Sequence, residues 1–246
     1  MIRGYILKMV YITFLALLFL NEKGFTQNKE TRLTITFENT ANDKRIVLPD
    51  SVYVNPFAET YAITKLKYYI SNINLVPITK KLPHKNIFLI DAAAEEKIAL
   101  KILPGKYSAI NFMVGIDSSY NNSGAQEGAL DPLNGMFWTW NTGYIYFKLE
   151  GTSTASTADL NRIQHHIGGY EGVNKTDRQV QLDFITPLVV VDGDQKEIVI
   201  NVNVDKYWKG QNNISISSNA IIMTTGELAK KSADNFPGMF SIKYVK

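Results

Sequence analysis

The sequence contains no cysteine, and this absence removes several classes of function. Without a thiol there is no disulfide, no thiolate metal site and no cysteine nucleophile. A lipoprotein anchor, which is attached through a cysteine, is not expected either. A protein without disulfides is held together by its hydrophobic core, and 246 residues are enough to build a sizeable one.

Catalytic motifs are missing as well. The sequence has no G-x-S-x-G nucleophile elbow and no glycine-rich loop that would cradle a phosphate. Its three histidines have no recognisable triad spacing, and no pair of groups forms a credible acid/base set. We therefore predict a protein that is not an enzyme.

The N-terminus carries the one long apolar run. Arg3 and Lys8 precede 12 predominantly apolar residues at 9–20, and small residues follow before Gln27. This run is shorter than the ~20 residues that a membrane-spanning helix needs. A basic start, a short apolar run and a small-residue exit predict a secretory signal peptide over residues 1–26.

Cleavage would leave a mature domain at 27–246 in the periplasm or outside the cell. It would remove three of the 26 basic residues and one of the 23 acidic residues, so the net charge would fall from +3 to +1. No basic stripe remains, and nucleic acid is not an expected partner.

Alternating apolar residues predict about nine or ten strands. The clearest is 197–205, where Ile198, Ile200 and Val202 alternate with polar residues. A change of phase between Ile70 and Ile73 predicts a β-bulge. We predict an all-β protein, a single antiparallel β-sandwich with long loops.

Two local features refine this prediction. Asp192-Gly193-Asp194 has the composition of a turn and predicts a hairpin between 180–191 and 197–205. The segment 226–235 could hold one short helix.

Two long segments, 117–137 and 151–176, have no strand signal and flank the predicted strand 144–150. Long loops in a sandwich often carry function. Because these two segments adjoin opposite ends of one strand, they would lie at opposite ends of the sheet unless the chain folds back.

Histidine is the commonest metal ligand, and two of the three histidines are adjacent. His165 and His166 lie in a glycine-flanked segment, where one side chain could point inward and the other outward. A metal site and a surface pair are equally compatible with this spacing. His84, in a lysine-rich loop, is predicted to be solvated surface.

Oxygen-bearing side chains alternate over 117–123 in the manner of a calcium loop. Glycine is absent from the sixth position of that loop and Gly128 replaces the acidic residue at the twelfth. A calcium-stabilised structural domain is therefore only the third alternative.

Trp138 and Trp140 share a face with Tyr144 and Tyr146 if the segment is extended. This aromatic cluster could form a buried wall. It could instead form an exposed platform for sugar rings, which would make the protein an adhesion or carbohydrate-contacting module.

The segment LDPLNGMFWTWNTGYIYFKLEG, together with HHIGG, resembles the MbnP family of exported copper-binding proteins, which are associated with methanobactin operons. The resemblance covers roughly residues 31–246. It implies a non-enzymatic β-sandwich that binds copper outside the cytoplasm. It also implies a partner, an MbnH-like dihaem protein of the cytochrome c peroxidase family, which oxidises a tryptophan to kynurenine.

Carried over to this sequence, the resemblance implies that Trp138 or Trp140 is the oxidised residue. His166, which precedes Ile167-Gly168, would be the imidazole ligand, and Met136 could add a thioether for Cu(I).

Many relatives carry a further histidine in the loop that corresponds to 117–131, where this sequence has none. A second imidazole would then come from His165 or His84, or be absent.

Overall fold

The computed structural model describes residues 30–49, 51–77, 86–94, 97–124, 126–138 and 143–246. The predicted signal peptide, His84 and Trp140 lie outside the described residues. Within these ranges, no helix is long and apolar enough to cross a membrane.

The described residues form 13 strands. They are β1 (Arg32–Ala41), β2 (Lys44–Arg45), β3 (Val52–Val54), β4 (Thr60–Pro77), β5 (Ile87–Asp91), β6 (Lys97–Lys101), β7 (Gly105–Val114), β8 (Phe147–Thr152), β9 (Arg162–Ile167), β10 (Arg178–Val190), β11 (Gln195–Asn203), β12 (Ile221–Ile222) and β13 (Phe240–Val245).

The helices of the described residues are short. They are α1 (Ser118–Asn121), α2 (Asp205–Trp208), α3 (Ile216–Asn219), α4 (Glu227–Ala233) and α5 (Phe236–Met239). The helix predicted within 226–235 is confirmed as α4.

The strands form two sheets that pack as a sandwich, as predicted. The first has the order β13-β11-β1-β2, with β6 also on β1, and the second has the order β10-β7-β4-β8-β9-β12, with β3 and β5 on β4. Most neighbours are antiparallel, but β1 pairs with β11 and β12 with β9 in parallel. Both sheets are therefore mixed. In the first sheet, β11 reaches β1 by a long crossover rather than by a hairpin, and this connection permits the parallel pairing.

The main core lies between the two sheets and follows from the alternation of their strands. Leu33, Ile35 and Phe37 of β1 are fully buried. Phe37 meets Tyr68 and Phe112 of the second sheet in edge-to-face contacts, with ring centroids 6.4 and 6.0 Å apart. Burying a side chain of this kind stabilises a fold by about 1.5–3 kcal/mol.

The predicted β-bulge in the long strand β4 is confirmed. The pairing of β4 with β7 shifts between Ser71 and Asn74, and Asn72 has a φ of 54°. Asparagine tolerates this left-handed conformation better than most residues. The bulge returns the apolar residues that follow it to the core face.

The prediction of a hairpin at Asp192-Gly193-Asp194 is wrong. The turn exists, but it connects β10 in the second sheet with β11 in the first. The Gly193 N–H donates to the Thr31 hydroxyl at 2.8 Å, which ties the turn to the start of β1. β11 then pairs with β1, so the flanking strands never become neighbours.

The predicted loop 151–176 contains strand β9, which pairs with β8 as an antiparallel hairpin. Lys148 lies opposite His166, and Phe147 opposite Ile167. The hairpin returns the chain to the start of β8, so the two segments expected at opposite ends of the strand meet at one end.

A second, smaller core lies on the outer face of the second sheet. Tyr69 points to this face because its neighbour Tyr68 points to the main core. We call this core the outer cluster, and its buried members are Tyr69, Ile116, Leu130, Met136, Trp138, Tyr144, Ile145 and Tyr146. Segments 117–137 and 143–146 thus cover the sheet instead of projecting from it.

Candidate metal centre

His165 lies on the inward face of β9 and is fully buried. Its Nδ1 is 2.6 Å from the Tyr207 hydroxyl, and its Nε2 is 2.6 Å from the Asn219 carbonyl oxygen. Because a carbonyl can only accept, Nε2 carries the proton and Nδ1 accepts from Tyr207. Both ring nitrogens are engaged in the fold.

Burial lowers the pKa of His165 to about 4, although the hydrogen bond to Asn219 acts in the opposite direction. The ring also packs edge-on against Trp208, with centroids 5.4 Å apart. Neutral and doubly hydrogen-bonded, His165 serves the core in this arrangement.

His166 lies on the opposite, outward face of the same strand. Its Nε2 is 2.8 Å from Oε1 of Glu150 on the neighbouring strand β8. Its side chain is only 9% exposed, although it lies on the outer face of the sheet. Among the described residues, none is hydrogen-bonded to Nδ1, so this nitrogen is the one that faces away from the carboxylate.

Glu150 is held as a carboxylate by three groups. The hydrogen bond from His166 lowers the pKa of Glu150 to about 2; burial acts against this shift, and the Lys65 ammonium at 2.8 Å acts with it. The Lys148 ammonium lies 3.8 Å from Oε1, the carboxylate oxygen that also accepts from His166. Lys148 also donates to the Gly135 carbonyl oxygen. Burial lowers the pKa of Lys148.

Trp138 is buried, with 4% of its surface exposed. Its backbone N–H donates to Gly143 at 3.0 Å, and Phe137 bridges to Tyr144, so 136–138 and 143–145 run as an antiparallel pair. This pair leads directly into β8, which places the indole beside the end of the β8–β9 hairpin.

The contact between the indole and the hairpin is made at Gly168. A Cβ at this position would lie 2.9 Å from Cη2 and Cζ3 of Trp138 and 2.5 Å from the Tyr144 carbonyl oxygen. Only glycine lets the backbone approach this closely. The benzo edge of Trp138 therefore lies against Gly168, which follows His166 by two residues in the sequence.

A cavity of about 250 Å³ opens beside Trp138. Its other lining residues are Gly143, Tyr144, Gly169, Tyr170, Glu171, Asn174 and Thr225. The indole is thus buried against the sheet on one side and reachable through a small polar cavity on another.

Met136 is fully buried in the outer cluster. Its backbone carbonyl accepts from Ile145 at 2.8 Å, which fixes it in the pair with 143–145. The structure brings Met136, Trp138 and His166 onto the same outer face of the second sheet.

Asn121 ties the described part of the loop 117–137 to segment 143–146, which leads into β8. This side chain is 1% exposed; it accepts from the Tyr144 N–H and donates to the Tyr146 hydroxyl, both at 2.9 Å. Its amide is therefore used to hold the outer cluster, and Ser118–Asn121 forms the short helix α1. The Asn121 amide oxygen is thus already engaged by the Tyr144 N–H, so one of the alternating oxygens of this loop serves the fold.

The aromatic platform is not present among the described residues. Trp138, Tyr144 and Tyr146 are all buried, and Trp140 lies outside the described ranges. A carbohydrate-contacting surface requires a flat, exposed row of rings, and these rings are instead the interior of the outer cluster.

On this face, His166 is the described side chain with the chemistry of a metal ligand. Within the described part of the chain, no group of three or more His, Asp or Glu residues could hold a metal ion by itself. His166 nevertheless has the arrangement of a metal-binding histidine, because its second nitrogen donates to a carboxylate. Imidazole is a nitrogen donor that suits copper, and His166 is the described histidine on this face with a ring nitrogen turned away from its carboxylate partner.

Sequence reasoning missed three residues of this region: Glu150, Lys148 and Gly168. The alternation of Phe147 and Leu149 toward the core would have placed Lys148 and Glu150 on the outer face together. Their meeting with His166 could not be predicted, because β9 itself was not recognised as a strand.

Comparison with known proteins gives one family and one fold. The model of the MbnP family matches residues 30–224. Among solved structures, MbnP from Methylosinus trichosporium is similar, with a TM-score of 0.51, 13% identity, and coverage of 76% of this chain and 80% of that chain. No curated protein sequence matches. At this level of identity, the structural likeness concerns the fold alone.

Proposed function

Because this chain belongs to the MbnP family, we propose that it binds copper outside the cytoplasm, at a centre that uses His166 and an oxidised tryptophan. Membership of the family indicates a role in methanobactin-related copper handling. The protein would bind and hold the metal without turning over a substrate, in keeping with the absence of a catalytic motif from the sequence.

One observation carries this proposal: the β8–β9 hairpin places the His166-Ile167-Gly168 segment directly against Trp138. A histidine and a tryptophan distant in the sequence are thereby brought to the same end of this hairpin, with Gly168 in contact with the indole. His166 would bind through Nδ1. Met136 lies on the same face as a soft donor, whereas His165 is occupied by Tyr207 and Asn219.

The tryptophan would become a ligand through oxidation by a dihaem peroxidase-like partner. Cleavage of the C2–C3 bond of the indole is a four-electron oxidation that adds one oxygen atom to each carbon and gives N-formylkynurenine. With two water molecules as the oxygen source, four electrons and four protons leave; the partner would pass these electrons to two molecules of peroxide, which are reduced to water. Water then releases the formyl group as formate and frees the arylamine of kynurenine, a nitrogen donor that the intact indole lacks.

The surroundings of Trp138 support such a step. The polar cavity beside the indole gives water and small oxidants a route to a ring that is otherwise buried. The backbone at Gly168 lies against the benzo ring, not against the five-membered ring that would open. Trp140 remains the alternative residue.

A copper titration tests the proposal. The protein is purified from its native host and titrated with Cu(I) against a competing chelator, beside His166→Ala and the control Lys243→Ala, whose side chain pairs with Glu38 on the first sheet. We expect one tight equivalent whose affinity falls ~10–100-fold or more in His166→Ala, and no change in the control. Binding that is indifferent to His166 would overturn the proposed centre.

Mass mapping of the peptide that contains Trp138 and Trp140 tests the oxidation. We expect the mass difference between tryptophan and kynurenine in protein produced with its dihaem partner and not in protein produced alone. Trp138→Phe and Trp140→Phe identify the residue, since only one of them should abolish the modification. An unmodified peptide from the native host would refute this part of the proposal.

Export follows from the same proposal, because the haem partner and the metal exchange lie outside the cytoplasm. Fractionation of the native host should recover the protein in the periplasm or the medium, with an N-terminus at or near Gln27. Recovery of the full chain from the cytoplasm would contradict it.

A further inference from the structure

The outer face of the β8–β9 hairpin carries a network of charged side chains centred on Glu150. Oε1 accepts from His166 at 2.8 Å and Oε2 accepts from Lys65 at 2.8 Å. Lys148 lies 3.8 Å from the carboxylate. Glu150 is thus held by side chains on three adjacent strands, β4, β8 and β9.

This geometry determines the tautomer of His166. A carboxylate flanked by two ammonium groups can only accept hydrogen bonds, so the proton of a neutral His166 ring lies on Nε2. The lone pair is then on Nδ1. A histidine without this partner would exchange between its two tautomers, and only one of them has a free lone pair on the correct side of the ring.

The same network reaches the segment that carries Met136 and Trp138. Lys148 donates to the Gly135 carbonyl, and Lys67, which also pairs with Asp91 at 2.8 Å, lies 3.5 Å from the Asn134 carbonyl. The backbone just before Met136 is therefore tied to the strand that supports His166.

We propose that Glu150 is a positioning residue, which presents Nδ1 of His166 to the metal, and that Lys148 links this pair to the backbone before Met136. The role in metal binding rests on the proposed function. The tautomer is a property of the metal-free protein and can be measured independently of it.

The test begins with ¹⁵N NMR of the imidazole rings in the metal-free protein at about pH 8, where an ordinary histidine is neutral. We expect His166 to be the Nε2–H tautomer in the wild-type protein and a mixture of both tautomers in Glu150→Gln. The matched control is Glu197→Gln, because Glu197 pairs with Lys246 at 3.3 Å on the other sheet. A wild-type His166 protonated on Nδ1 would overturn the proposal.

Copper affinity is then measured for the same proteins. We expect a loss of ~10–100-fold in Glu150→Gln, partial recovery in Glu150→Asp, and no loss in Glu197→Gln. If His166→Ala lowers the affinity but Glu150→Gln alters neither tautomer nor affinity, the positioning role fails while the proposed function stands.

Conversely, if the tautomer shifts in Glu150→Gln but no variant alters copper binding, the proposed function fails and the hydrogen-bond role of Glu150 stands. Circular dichroism confirms that each variant is folded. Should Glu150→Gln not fold, Glu150→Asp decides the question, since a shorter carboxylate should still produce a measurable mixture of tautomers.

Discussion

Two adjacent histidines have opposite roles because a strand directs them to opposite faces. His165 is buried in the main core with both nitrogens engaged, whereas His166 faces the outer cluster with one nitrogen on a carboxylate. The sequence motif predicted His166 and Trp138 as site residues. The motif could not predict which histidine is buried in the main core and which faces outward. That depends on the register of β9, a strand that alternation did not reveal.

The stability of the metal-free protein should depend on the protonation of His165. Its pKa is about 4 in the folded state and 6.5 ordinarily, so the folded state binds fewer protons and stability rises with pH across this interval. We expect about 3 kcal/mol to be lost as the pH falls from 6.5 to 4. Urea denaturation at several pH values measures the slope, and an equal slope in His165→Gln would contradict the assignment.

The close approach at Gly168 gives a second prediction at this scale. Gly168→Ala places a methyl group against Trp138 and the Tyr144 carbonyl, so we expect a loss of about 1–3 kcal/mol and altered tryptophan fluorescence. Gly238→Ala is the matched control, because nothing lies within 4 Å of its added Cβ. Equal behaviour of the two variants would show that the contact is unimportant.

At the scale of elements, short helices and turns are fixed by side chains from remote strands. Glu59, just before β4, accepts from the backbone N–H groups of Ile216 and Ser217 at 2.7 and 2.9 Å and thereby caps α3. Burial raises the pKa of Glu59, but these hydrogen bonds and that from Asn55 outweigh it and lower the pKa overall.

Removing this cap should destabilise the fold measurably. We expect Glu59→Gln to cost ~1–2 kcal/mol, since at least one N–H group loses a charged acceptor. Glu227→Gln is the control: its carboxylate pairs with Lys231 at the surface of α4, and no change in the urea midpoint is expected. A normal midpoint for Glu59→Gln would argue against the cap.

Strands with several consecutive inward apolar residues could be predicted, and a strand whose short inner face is interrupted by a polar residue could not. β1 presents Leu33, Ile35 and Phe37 to the core and β11 presents Ile198, Ile200 and Val202, so both were evident from the sequence. β9 reads Ile163, His165, Ile167 inward, and the central histidine hides the pattern. The polar ring of this histidine is hydrogen-bonded to Tyr207 and Asn219, which lie far along the chain.

At the scale of the molecule, the sandwich extends beyond the part that the family model matches. Residues 30–224 match, yet β13 completes the first sheet and Phe240 packs edge-on against Phe112 at 5.2 Å. Fold class follows from local alternation, whereas the parallel pairing of β1 with β11 depends on contacts across the whole chain, which no local pattern encodes.

The C-terminal strand should therefore be essential for stability. We expect Phe240→Ala to cost ~3–5 kcal/mol, because it empties a site between the sheets. Tyr244→Ala on the same strand should cost less than ~1 kcal/mol, since Tyr244 is 38% exposed. Urea denaturation compares the two, and similar losses would mean that β13 is held by its backbone alone.

The division of the described residues into two cores has a consequence for how such proteins diverge. The residues around Trp138 and His166 rest on the outer cluster, whose members are distinct from those of the main core between the sheets. Substitutions in the outer cluster therefore repack a layer that is separate from the main core. The two-sheet architecture can persist through such changes, as its similarity to a solved structure at 13% identity illustrates for the fold.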